Sequence, residues 1–323
     1  MKHRSLPLVI KSCAKLNLYL RVLGKRKDNF HNLDTLFVRI DLADTITLKG
    51  RKDSLIRIKC DSRQVPKDET NLCFCAANLL RQEFKLENNG LASDSQSHKL
   101  RYGLDIEIRK RIPVGAGLGG GSSNAASVIL GLNKYWNLNL PKAKLAILAA
   151  KIGSDVPFFI HNVKFASGSQ RGDKIRPLIS LKNTKLWFIL VYPRVKVSTP
   201  LIYRKFDFYS SKHKSSLPFL KGISGLTSCT PDVKILLPEL LKNGCSFDAK
   251  CLFNDLEAVT SNLYPVVNRV KKALLAMGLE RVMMSGSGPA VFAICNCRSQ
   301  AKKLSNKLRK EHKSWQVFLS SAV

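Results

Sequence analysis

Pro113-Val114-Gly115-Ala116-Gly117-Leu118-Gly119-Gly120-Gly121-Ser122-Ser123-Asn124-Ala125-Ala126 places five glycines in seven residues, then turns small and apolar. Immediately upstream, Leu104, Ile106 and Ile108 alternate with Asp105, Glu107 and Arg109, the period of a half-buried strand. Downstream, Ala126, Ile129, Leu130 and Leu132 share a helical face, with Ser122 or Ser123 placed as N-cap. The stretch reads strand, glycine loop, helix N-terminus. Such a junction aims free N–H groups and the positive end of a helix dipole at one spot, and glycine lets a large anion approach the backbone. A di- or triphosphate is the expected occupant.

Gly115, Gly117 and Gly120 satisfy G-x-G-x-x-G, a weak signal alone. A dinucleotide fold wants an acidic residue about twenty positions on, but Trp136-Asn137-Leu138-Asn139-Leu140-Pro141-Lys142 holds no carboxylate. Neither a Gly-Lys-Ser/Thr ending nor H-R-D and D-F-G segments accompany the loop. A turn without a ligand would explain the spacing but not so many flexible residues before a helix.

The length of 323 residues allows one large domain or two moderate lobes, and 45% hydrophobic content is ordinary for an enzyme. No apolar run reaches the roughly 18 residues of a membrane span. Met1 to Pro7 leads straight into strand-like sequence, so neither signal nor long transit peptide is expected. Nine scattered cysteines, with C-x-C pairs at Cys73/Cys75 and Cys295/Cys297, read as reduced core thiols, and no metal constellation emerges. Together these predict a bacterial-type cytoplasmic protein. The 54 Lys+Arg against 23 Asp+Glu give a net charge of +31, a field that attracts polyanions. Its lysines are spread along the chain without interleaved aromatics, which argues against a nucleic-acid platform.

Elsewhere, Leu36, Val38, Ile40 and Leu42 alternate as a strand, with Ile56/Ile58 as expected antiparallel partner. An apolar helix runs through Leu80, residues 87–99 read as a surface loop, a helix spans about Ala143 to Lys151, and Leu186 to Tyr192 is a buried strand. Residues 165–173 suggest a glycine-containing turn and the basic, serine-rich 204–227 a loosely held loop. Asp255 and Glu257 read as cap and surface charge, and Lys302 to Lys313 as an amphipathic helix.

The loop pattern from Pro113 to Ala126 resembles the ATP loop of the GHMP kinases. Its Gly-Gly-Gly-Ser-Ser-Asn version is most similar to the branch acting on a cytidine diphosphate-linked methylerythritol in non-mevalonate isoprenoid synthesis. The resemblance implies an α+β, two-lobed kinase: residues 1–165 as an N-terminal lobe of the ribosomal-protein-S5-domain-2-like type, and 166–323 as a C-terminal α/β sandwich lobe. It implies ATP, with Mg²⁺ carried by the nucleotide, a small-molecule acceptor phosphorylated on its 2-hydroxyl, and a monomer or weak homodimer without membrane or specific nucleic-acid partners.

Further motifs follow in the family's order. By composition Lys15 is a snorkelling lysine, but Ala14-Lys15-Leu16-Asn17-Leu18 resembles the motif that places a lysine near the acceptor hydroxyl and an asparagine in the pocket. Phe30-His31 is similar to a Tyr-His pair that binds cytosine; Phe30 keeps a stacking face and loses the hydroxyl. Thr199 and Tyr203 match the substrate-side stretch, which would set cytosine between Phe30 and Tyr203. Asn71 is either a helix cap or, with Leu72, Lys110 and Asn124, an adenine contact. Gly153-Ser154-Asp155-Val156-Pro157-Phe158 resembles the segment of the catalytic base, with Asp155 as base and Lys15 pairing with it to keep it ionised. Met284 to Ala293 looks like a third motif, a glycine turn packed on the first loop. Another acceptor (mevalonate or homoserine), or a basic RNA-binding protein, stays open at this level.

Overall fold

In the computed structural model, which describes residues 6–88, 103–212 and 252–323, the chain is α+β and forms two units that interleave along the sequence. The first comprises Met1–Ala14, Ala43–Val114 and Gly119–Asn162; the second comprises Lys15–Leu42, Gly115–Leu118 and Val163–Val323. Strands β1 (Leu8–Lys25) and β2 (His31–Gly50) contribute residues to both.

In the first unit the end of β2 pairs antiparallel with β4 (Leu104–Arg109), from Thr45 opposite Arg109 to Gly50 opposite Leu104. Strand β3 (Ile56–Cys60) lies parallel to β4, with Ile56 opposite Leu104 and Ile58 opposite Ile106. A parallel pair needs a long crossover, here α1 (Leu72–Asn88). The antiparallel partnership expected for Ile56/Ile58 is therefore corrected, because period-two patterning identifies a strand but not its neighbour. Helix α1 packs on α2 (Gly120–Tyr135), burying Ala76, Ala77 and Leu80 beside Ala125, Val128, Ile129 and Leu132. At Gly131 a Cβ would lie 2.5 Å from Ile10 Cδ1 and 2.7 Å from Leu48 Cδ1, so α2 comes closer to the strands than any side chain would permit. Helices α3 (Lys142–Ile152) and α4 (Val156–His161) complete the layer. Of the loop expected at 87–99, residues 87 and 88 close α1 and the remainder lies outside the described residues.

In the second unit the start of β2 pairs antiparallel with β5 (Phe165–Ser169), which pairs with β6 (Lys174–Pro177). The turn expected at 165–173 is thus a hairpin whose tight part is confined to the residues between β5 and β6. A second, antiparallel sheet runs β11 (Gln316–Ser321), β7 (Trp187–Tyr192), β10 (Val291–Cys295), β9 (Val282–Met284). Strands β7 and β10 are continuous apolar runs, as strands covered on both faces require. One face carries Ile189, Val191, Val291 and Ala293 against α6 (Asp255–Leu263), α7 (Val266–Leu275) and α8 (Arg298–Glu311). Strand β8 (Phe253–Asn254) pairs parallel with Tyr19 and Leu20 of β1.

Residues Thr199–Lys212 form helix α5, not the beginning of a loop. Their basic and serine content hides an apolar face, in which Ile202 is buried and Tyr203, Phe206 and Tyr209 pack against the core. Residues 213–227 of that expected loop lie outside the described residues. Asp255 and Glu257 are not surface charges either: Asp255 Oδ2 accepts from Val22 N at 2.7 Å, and Glu257 accepts from Met284 N while pairing with Lys271. Among the described residues, no helix is long and apolar enough to cross a membrane.

Candidate active site

The glycine stretch spans both units, and its helical end belongs to the first. Helix α2 starts at Gly120 after a left-handed Gly119 (φ 67°), with no side-chain cap and no acidic residue in its first turn. Ser122 and Ser123 are therefore inside the helix and not its cap, a correction whose cause is that glycine alone enters the left-handed region freely. The amides of the first turn have no partner within the helix. Leu72 lies against Gly121, where a Cβ would sit 3.5 Å from its Cδ1, and Lys110 Nζ would be 3.3 Å from a Cβ at Gly120. Lys110, Leu72 and Asn124 are thereby brought to the helix start.

A buried polar network fixes this end. Asp44, fully buried, accepts through Oδ1 from the amides of Arg111 (2.7 Å) and Ile112 (2.8 Å), and through Oδ2 from Asn124 Nδ2 (3.0 Å) and Lys110 Nζ. Asn124 Nδ2 also donates to Ser12 Oγ (2.9 Å), and the Ser12 hydroxyl bonds that of Ser123 at 2.8 Å. Asn71 acts as a cap of α1, its Oδ1 accepting from Cys73 N at 2.8 Å while Nδ2 donates to Pro66 O at 2.6 Å. Asp155 stands half-buried at the N-cap position of α4 and makes no capping bond to it. Val156 to Ile160 are all buried, which anchors the segment that carries this carboxylate.

The remainder of the loop, Gly115–Leu118, belongs to the second unit. Gly117 (φ 78°) passes so close to the 285–290 turn that a Cβ would lie 2.2 Å from Ser285 O. Ser285 Oγ donates to Gly117 O (3.1 Å), Ala290 N donates to Ala116 O (3.2 Å), and Lys15 N donates to Leu118 O (3.0 Å). The third motif packs on the first loop as expected. Asn254 caps α6 and ties that turn down, donating to Met284 O and Gly286 O at 2.8 Å each. Lys15 is buried; its Nζ donates to Asn17 Oδ1 at 2.6 Å and stands 5.2 Å from the Phe37 ring centre. Asn17 Nδ2 donates to Thr35 Oγ1 at 2.9 Å, and that hydroxyl donates to Tyr19 O at 2.7 Å. The amide oxygen of Asn17 is thus committed to the lysine. Thr199 bonds Ser287 at 2.7 Å, and Lys196 lies across Gly115.

At the other end of this unit, His31 Nε2 meets Asp207 Oδ1 at 2.6 Å and Lys25 Nζ meets Asp207 Oδ2 at 3.1 Å. Burial raises the Asp207 carboxyl, but the bonds from His31 and Lys25 outweigh it and hold the group below the ordinary carboxylate range. The His31 ring stacks on Tyr203 with centres 4.8 Å apart. Phe30 is 49% exposed, and the Arg171 guanidinium lies 5.0 Å from its ring centre, held by Asp173 at 2.7 Å. Tyr203 is therefore brought to His31, while Phe30 meets Arg171. A cleft of about 660 Å³ opens beside His31, lined by Val22, Gly24, Lys25, Phe206 and Asp207. Asp44, Ser12, Asp207, Arg171 and Lys196 escaped the sequence reading. For Asp44 a signal existed: it falls on the apolar phase of its strand, between Leu42 and Ile46.

The GHMP kinases N terminal domain model matches residues 71–162, and the GHMP kinases C terminal model matches 229–314. The chain is 37% identical to the 4-diphosphocytidyl-2-C-methyl-D-erythritol kinase of Gloeothece citriformis over 92% of its own length and 89% of the relative's. It is 34% identical to the enzyme of that name from Enterococcus faecalis over 94% and 95%. A crystal structure of 4-(cytidine 5'-diphospho)-2C-methyl-D-erythritol kinase superposes with a TM-score of 0.72 at 29% identity, covering 97% of this chain and 98% of that one. Homoserine kinase from Cytophaga hutchinsonii, at 19% identity and a TM-score of 0.65, shares the fold.

Proposed function

The chain belongs to the GHMP kinases, in the family of the 4-diphosphocytidyl-2-C-methyl-D-erythritol kinases, and on that premise we propose how its residues divide the work. It moves the γ-phosphoryl group of ATP to the 2-hydroxyl of 4-diphosphocytidyl-2-C-methyl-D-erythritol, giving the 2-phosphate and ADP, a step toward isoprenoid precursors outside the mevalonate route. Phosphoryl transfer is mainly positioning and charge stabilisation. Backbone N–H groups from Gly117 to Ser122 hold the β- and γ-phosphates, the Ser123 amide of the expected run being spent on Gly119 O at 2.8 Å, while Asn71, Leu72, Lys110 and Asn124 serve the adenosine end. Mg²⁺ arrives on the nucleotide and supplies neutralisation of phosphate charge. The acid-free first turn of α2 suits phosphate oxygens.

Asp155 accepts the hydroxyl proton, and Lys15 stabilises the charge that develops on the transferring group. Asn17 holds Lys15 and lines the acceptor side with Thr199. His31, Phe30 and Tyr203 recognise the cytosine. The lobe division at 165/166 and a monomer or weak homodimer complete the proposal. The start of α2 carries the nucleotide reading: a left-handed glycine, an uncapped and acid-free first turn, and an ammonium beside Gly120.

Phosphorus NMR of the protein with Mg-ATP and the cytidyl substrate, with mevalonate and homoserine as parallel acceptors, tests it. A new phosphomonoester on the cytidyl substrate alone is expected. Transfer to another acceptor instead would overturn the cytosine assignment and keep the kinase.

A further inference from the structure

Asp44 belongs to none of the sequence motifs and touches no reacting group in the scheme above. Its fully buried carboxylate nevertheless takes bonds from both sides of the glycine stretch: Lys110, Arg111 and Ile112 before it, Asn124 after it. We propose that Asp44 is the positioning residue of the nucleotide loop, acting through Lys110 and Asn124 and resting on the nucleotide reading above.

Three features of the loop support this role. A glycine-rich loop has more conformational freedom than any other, so its shape depends on how firmly its ends are held. Asp44 Oδ1 fixes the entry through two successive amides, and Oδ2 fixes the exit through Asn124. Second, Lys110 Nζ stands beside Gly120, at the positive end of the α2 dipole, where a cation alone is unfavourable. The Asp44 charge is what lets an ammonium rest there. Third, Ser12 extends the hold to Ser123, so the first turn of the helix is bonded to the same carboxylate through Asn124.

Asparagine at this position would discriminate among these contacts. Its Oδ1 still accepts from Arg111 and Ile112, whereas its NH₂ confronts two donors, Lys110 and Asn124. The loss then falls on the charged arm while the fold keeps its backbone bonds. In the full-length enzyme, Asp44→Asn should raise the Kd and KM for Mg-ATP about tenfold or more, with KM for the acceptor within about twofold. Lys110→Met should weaken Mg-ATP similarly, and the double variant should be no worse than the weaker single, as expected for one shared interaction.

Folded Asp44→Asn protein with wild-type Mg-ATP affinity would overturn the proposal. So would effects that multiply in the double variant, or a parallel rise in both KM values, which marks general loosening. If Asp44→Asn does not fold, Ser12→Ala removes only the two outer bonds of the same network. Losing both Ser12 bonds, to Asn124 and to Ser123, should weaken Mg-ATP about threefold and leave the acceptor unchanged; unchanged nucleotide affinity there overturns the idea. Wild-type protein that shows no Mg-ATP binding by titration calorimetry would instead overturn the nucleotide reading itself.

Discussion

The start of α2 in the first unit and the surroundings of His31 in the second both centre on an aspartate that bonds a lysine, and they treat it oppositely. Asp44 and Lys110 have side-chain exposures of 0% and 9%, and the carboxylate also accepts from two amides and an asparagine. Asp207 and Lys25 are 27% and 52% exposed, and Asp207 divides itself between that lysine and His31. Buried charges are tolerable only when every partner is in place, so the first arrangement has one geometry. Water competes for the second, which leaves its side chains able to rearrange. Under the proposed function, a loop that meets the same polyphosphate every time gains from the first, and a surface that meets a larger, flexible acceptor gains from the second.

The contrast is sharpest under a matched pair of substitutions. Lys110→Met strands a buried carboxylate and should cost roughly 3–5 kcal/mol of folding stability in urea unfolding. Lys25→Met should cost less than about 1 kcal/mol. Equal costs would erase the distinction. Next in size, Asp155→Asn should lower kcat on the order of 10²-fold and leave Mg-ATP affinity nearly unchanged, separating the framework that holds nucleotide from the group that accepts the proton. Full turnover would remove Asp155 from the chemistry.

The smallest expected effect concerns a third carboxylate, in the second unit. Burial pushes Asp255 up to about 6, against lowering by its bond from Val22 N and by Arg21. Its folded-state value lies above its unfolded one, so its contribution to stability is complete below about pH 4 and is lost as pH rises through about 6. Asp255→Asn keeps an acceptor for Val22 N. It should flatten that slope and stabilise the protein at pH 7 by about 2 kcal/mol, as read by unfolding across pH. Asp207 moves the other way, so protonation at low pH weakens its bonds to His31 and Lys25.

Much of this was legible from residue patterns because local physics decided it. The alternation of β4 and the helical faces of α2 and α3 emerged where expected. The glycine stretch declared a loop before a helix, and the segments around Lys15, His31 and Asp155 stood out through motif resemblance. Long-range partners were not legible. Asp44 breaks the apolar phase of its strand, but the partners that explain it, Lys110 and Asn124, come 66 and 80 residues later. The parallel pairing of β3 depends on a crossover that alternation does not encode. Helix α5 was hidden because average composition outvotes a four-residue apolar face. Ser122 and Ser123 have good capping chemistry, but backbone handedness at Gly119 placed the boundary earlier.

The contact between Gly117 and the 285–290 turn also sets a timetable. Ser285 Oγ reaches Gly117 O across 168 residues of chain. At ~5–20 residues per second, a ribosome would finish the glycine loop roughly 8–30 s before making the turn that braces it. During that interval the loop is covalently complete but lacks its bonds to Ser285 and Ala290. The braced shape of the loop is therefore acquired late in synthesis, long after the glycines themselves have been laid down.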